Sequence, residues 1–133
     1  MTAAYALQTA ILDRLRADAG LAASPLAGRI FDAVPRDAAF PNLAVDEVVS
    51  RDRSGLDAPL IEHRLVLHLF SRKGGRREAA TLAGLVEASL AAAPPSLVGH
   101  RLVLLRREAT EMRLAKDRLT AEAALRFVAL TEP

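Results

Sequence analysis

The 133 residues are 51% apolar and 26% charged, enough to bury one core and too ordered in composition for a disordered chain. No Cys is present, which excludes disulfides, thiolate zinc sites and Cys nucleophiles. Lys and Arg total 18 against 16 acidic residues, for a formal charge of +2, and acids interleave with bases, which argues against a dedicated DNA binder.

Residues 3–19 read as an amphipathic helix. Leu7, Ile11, Leu15 and Ala19 recur at a spacing of four, Leu12 widens the stripe, and Gln8, Asp13, Arg16 and Asp18 cover the other side. Thr2 is the expected N-cap and Gly20 the expected stop. Residues 29–34 form a short strand, and Pro35 and Pro41 bracket a turn-like stretch suited to a sheet edge. A second strand covers 42–49, with Leu43, Val45 and Glu47 on one face. Residues 50–59 are the most polar stretch and are expected as an exposed loop.

Residues 60–71 alternate as a strand. Ile61, His63, Leu65, Leu67 and Leu69 share its core face, while Glu62, Arg64, Val66, His68 and Phe70 share a face that is wet or meets another chain. A turn at Lys73-Gly74-Gly75-Arg76 leads to a helix over 77–92, with Ala79, Leu82, Ala83, Val86 and Leu90 buried and Pro94-Pro95 beyond its end. Two long strands, 101–114 and 118–131, are joined at Ala115-Lys116-Asp117. Leu119, Ala121, Ala123, Leu125 and Phe127 form the inner row of the second. The hairpin exceeds the usual strand length, so its tip, residues 112–119, is expected to project. The fold class is α+β: a single domain over 1–133, with a mainly antiparallel sheet of about five strands and two helices packed on one face.

Little in the chain carries chemistry. His63 and His68 lie five apart on one strand and point to opposite faces, so they cannot share a metal. No Gly-x-Ser-x-Gly elbow occurs, and the Gly74-Gly75 turn lacks the phosphate-cradle pattern. Glu108 and Glu111 are three apart on a strand and cannot form a glycosidase dyad. No catalytic, cofactor-binding or metal residue is expected, and the chain is read as a non-enzyme. The first fifteen residues lack a basic start and apolar run. The longest apolar region, 79–98, carries Glu87 and is broken by Pro94-Pro95, too interrupted to span a bilayer, so a soluble intracellular protein is expected. His63-Arg64-Leu65-Val66-Leu67 recurs as His100-Arg101-Leu102-Val103-Leu104, too short for a structural repeat.

Several blocks together resemble a known family. They are Arg29-Ile30-Phe31-Asp32-Ala33-Val34-Pro35, then Ala39-Phe40-Pro41, His63-Arg64-Leu65, Phe70-Ser71-Arg72, Gly99-His100-Arg101-Leu102, and Leu125-Arg126-Phe127 through Leu130-Thr131. In order and spacing the chain resembles the short tail-completion, or tail-terminator, proteins of long-tailed phages, especially those of prophages and gene transfer agents. The resemblance implies a homo-oligomer, a hexameric ring on the head-proximal end of the tail tube. The ring would end tube polymerisation and join the tail to a neck or stopper protein. DNA would only transit its lumen, and no membrane would be involved. The place implied is the tail or neck of a phage-like particle assembled in the bacterial cytoplasm. Candidate assembly contacts are Arg51, Arg53 and Asp57 in the polar loop, and Met112, Arg113, Leu114, Lys116 and Asp117 at the hairpin tip. The alternative is a small nucleic-acid-associated domain using Arg51, Arg53, Arg72, Lys73, Arg76 and Arg77.

Overall fold

Thr2 opens the first helix, its Oγ1 accepting from the Tyr5 N–H at 3.2 Å. In the computed structural model, which describes residues 1–133, this helix α1 spans Ala3–Ala17 and buries Leu7, Ile11, Leu12 and Leu15. It ends two residues earlier than the periodicity predicts. Asp18 adopts extended backbone and its carboxylate accepts from Leu21 N–H at 3.0 Å, capping a separate turn, α2 (Ala19–Ala22). Gly20 therefore lies inside α2 and is not a stop. Ala19 is exposed and drops off the stripe.

The strands are β1 (Ile30–Phe31), β2 (Asn42–Asp52), β3 (Ile61–Ser71), β4 (Arg101–Leu114) and β5 (Ala121–Glu132), in the spatial order β1-β2-β3-β5-β4. Every pair is antiparallel except the short β1–β2 contact, which is parallel. The third helix, α3, spans Arg77–Ala92. Helices α1 and α3 cover one face of the sheet, and their buried stripes meet Leu65, Leu67, Leu69, Leu125 and Phe127 in a core of 21 residues. This is the expected α+β arrangement, with one parallel pair at its edge.

Two boundaries differ from the sequence reading, each for a local reason. Strand β2 continues to Asp52, which takes Arg51 out of the expected loop. Its extension is held by pairing of Ser50 with His63, Arg51 with Glu62 and Asp52 with Ile61. Within β2 a bulge between Val45 and Glu47 advances the phase by one residue. Val48 packs inward in place of Glu47, which is exposed. Strand β5 begins at Ala121, not 118. Asp117 Oδ1 accepts from the N–H groups of Leu119 and Thr120, both at 2.9 Å, and Arg118 holds φ +58, so the chain is still turning there. Leu119 is 63% exposed as a result, not part of the inner row.

Candidate assembly surfaces

Strand β3 fixes the geometry of the contact elements. Its residues Ile61 to Phe70 pair with β2 on one side, and all eleven of its residues pair with Ala121 to Thr131 of β5 on the other. Ten steps at about 3.3 Å separate its ends by about 33 Å. The β2–β3 loop, the 93–100 connection, Met1 and Pro133 gather at the first end; His100 Nε2 lies 3.3 Å from the Met1 carbonyl oxygen. The turns at 72–76 and 115–120 gather at the second, joined by a bond from Arg72 Nε to Thr120 Oγ1 at 3.0 Å.

The loop end is built as a tight closure. Arg53 N–H donates to the Leu60 carbonyl at 2.8 Å, and Gly55 N–H to Ala58 at 3.0 Å. Asp52 Oδ1 accepts from Ser54 N–H at 2.8 Å, and bonds from the Ser54 side chain and backbone hold the Asp52 carboxyl below its usual range. Leu56 at the loop apex is fully exposed. Beneath the loop, His63 is wholly buried. Its Nδ1 lies 2.7 Å from Ser50 Oγ and its Nε2 lies 2.8 Å from Thr131 Oγ1, a polar tie across β2, β3 and β5. Burial, with a smaller contribution from His100, pushes the His63 pKa below its ordinary value.

The hairpin tip does not project as expected. Ser71 at the end of β3 pairs with Ala121 and Leu114 pairs with the same residue, so the three strands end level. Met112 and Leu114 lie on the helix side of β4, half-buried and packed against the core. They are not apolar residues left at an exposed tip. Arg113 points the other way and pairs with Glu122 at 2.7 Å. Lys116 and Asp117 are exposed in the turn. Three backbone and hydroxyl bonds from Leu119 and Thr120 hold the Asp117 carboxyl below its usual range, the Thr120 N–H contributing most. The exposed apolar residue at this turn is Leu119, which the strand alternation misplaced. The signal for it was Asp117 followed by Thr120 three residues on, an Asx-type turn pattern.

The sheet face away from the helices is open and laced with ion pairs. Arg64 meets Glu108 and Glu62, Arg126 meets Glu111, Arg101 meets Glu132, and Arg53 meets Glu62 at 3.6 Å. Their arginines are about half-exposed or more, so these pairs balance charge more than they stabilise. The six cations of the nucleic-acid alternative do not form one patch. Arg51 and Arg53 lie at the loop end, and Arg72, Lys73, Arg76 and Arg77 at the turn end. No group of three or more His, Cys, Asp or Glu could hold a metal ion, and no helix is long and apolar enough to cross a membrane.

What this fold offers is contact surface: two ends of different chemistry on a rigid sheet. The chain belongs to the tail completion protein gp17 family, whose sequence model matches residues 9–132. It is also similar to a chain solved in the virion of a native gene transfer agent particle, with 27% identity, 100% coverage of both chains and a TM-score of 0.88. No curated protein sequence matches it. The family expected from the sequence blocks is thus the family found.

Proposed function

We propose that this tail completion protein is a terminator: copies of it close into a ring on the head-proximal end of the tail tube, stop tube growth and present a second surface to the neck. The observation that carries this reading is the placement of the two contact elements at opposite ends of a sheet about 33 Å long. A subunit that bridges two partners along a tail axis needs opposed faces held at fixed separation, and β3 supplies that strut. Arg51, Arg53 and Asp57 serve contacts at the loop end, and Arg113, Lys116 and Asp117 at the turn end, with Met112 and Leu114 supporting the hairpin from beneath. The work is done by contact alone, with no catalytic, metal or cofactor step. The balanced open face suits a conduit, because a face that gripped phosphates would retard passing DNA.

Identical subunits joined head to tail close into rings when the rotation allows. Six chains of 14.2 kDa make about 85 kDa. Native mass spectrometry of the protein with its tail-tube protein is expected to show that species, and particles lacking the protein are expected to carry tails of irregular length without heads. A strict monomer in the presence of tube protein, with tails of normal length in its absence, refutes the reading.

A further inference from the structure

The turn end carries six cations: Arg72, Lys73, Arg76 and Arg77 in the β3–α3 connection, and Lys116 and Arg118 in the β4–β5 turn. All six are exposed, and none takes part in an ion pair. Two carboxylates stand at this end, each held by hydrogen bonds, and Asp117 also lies within the field of Arg72. Asp117 accepts from Leu119 and Thr120, and Glu78 accepts from Ser71 Oγ at 2.6 Å. The chain as a whole is only +2, and six unpaired cations stand at this end, whereas at the loop end Arg53 and Arg101 have carboxylate partners and Arg51 alone has none.

The patch is also held in shape. Arg72 stacks over the Phe40 ring, 4.1 Å from its centroid, and donates to Thr120, which ties the two turns together. Leu119 stands among these cations with 63% of its surface exposed. A phosphate backbone would satisfy the charges but offer nothing to the leucine, and no exposed aromatic stands beside it to stack a base. A protein surface with carboxylates around an apolar recess satisfies both.

We propose that the turn end is the docking surface for an acidic protein partner, with Leu119 as the apolar anchor and the cations as its rim. The partner is whichever axial tail component seats on this end, so the inference rests on the terminator reading and adds the chemistry of one of its two interfaces.

The test compares the wild type, the combined variant Lys73→Gln/Arg76→Gln/Arg77→Gln, and Leu119→Ser. Each is titrated against the purified tail-tube protein, the purified neck protein of the same particle, and a short DNA duplex. Wild-type affinity for one of the two proteins is expected to fall as salt rises from about 50 to about 300 mM. Both variants are expected to lose about tenfold or more on that protein and to bind the other unchanged. The single Leu119 variant leaves the start of α3 untouched, so it reads the interface even if the combined variant misfolds. Unchanged affinity for both proteins overturns the proposal. So does a loss confined to the duplex, which would make the surface a nucleic-acid site, or a loss of ring closure alone, which would make it a contact between copies. If the wild type binds neither protein, the terminator reading itself falls.

Discussion

His63 is the one histidine in the core, and its environment predicts how stability follows pH. The imidazole is wholly buried, with its two nitrogens beside Ser50 Oγ and Thr131 Oγ1. Burial disfavours the charged ring, so its folded pKa lies below the unfolded value near 6.5. The sign follows directly: below the unfolded pKa the unfolded chain binds the proton more readily than the native one. The stability from neutral His63 is therefore complete above about pH 6.5 and is lost as pH falls toward the folded pKa, with a slope no steeper than about 1.4 kcal/mol per pH unit. Replacing the ring by an amide, His63→Gln, keeps a donor and an acceptor but removes the titration. Urea midpoints measured from about pH 7.5 down to about pH 5 should fall for the wild type and stay nearly level for His63→Gln over the same range. Truncation to Ala is a separate check at neutral pH. It opens a cavity and leaves the Thr131 hydroxyl, 1% exposed, without its partner, a combined cost of about 3–5 kcal/mol. Parallel pH curves for wild type and His63→Gln would refute this account of the buried ring.

Two further outcomes probe the core and the turn. Leu67 is fully buried at the centre of the middle strand, so Leu67→Ala should cost about 3 kcal/mol in chemical denaturation while leaving far-ultraviolet circular dichroism unchanged. Asp117→Ala removes the acceptor that shapes the 115–120 turn, so it should lower the thermal midpoint and raise amide exchange at Leu119 and Thr120, with no change at the His63 tie, eight strand steps or about 26 Å from that end of β3.

Elements with a strong hydrophobic period were legible in the sequence. Helix α3 has the boundaries and buried stripe that its spacing dictates, because it buries one face continuously against a single core. Strand β3 keeps His63, Leu65, Leu67 and Leu69 inward but starts at Ile61, not 60, leaves Ile61 half-buried and also buries Val66 on the face expected to be wet. Boundaries set by a polar side chain were not. Asp18 ended α1 early, the bulge after Val45 turned Glu47 outward, and Asp117 kept Leu119 out of β5, each by a local bond that periodicity does not register. The repeated five-residue segment shows the same limit. Its first copy lies in the central strand, where His63 is buried; its second begins the edge strand, where a bulge leaves Val103 exposed.

The order of residues by itself determined the α+β class, the inward rows of the regular segments and the family, since these depend on neighbours a few positions apart or on blocks in sequence. Tertiary structure alone decided which surfaces exist. Arg53 and Arg72 look like parts of one basic set in the sequence, yet an extended strand of eleven residues holds them at opposite ends of the sheet. Met112 and Leu114 look exposed at a hairpin tip, yet β3 and β5 run level with them and α3 shares the core they pack against. The physical reason is the same in both cases: strand pairing sets distance and facing between residues that are remote in the chain, and no local pattern encodes it.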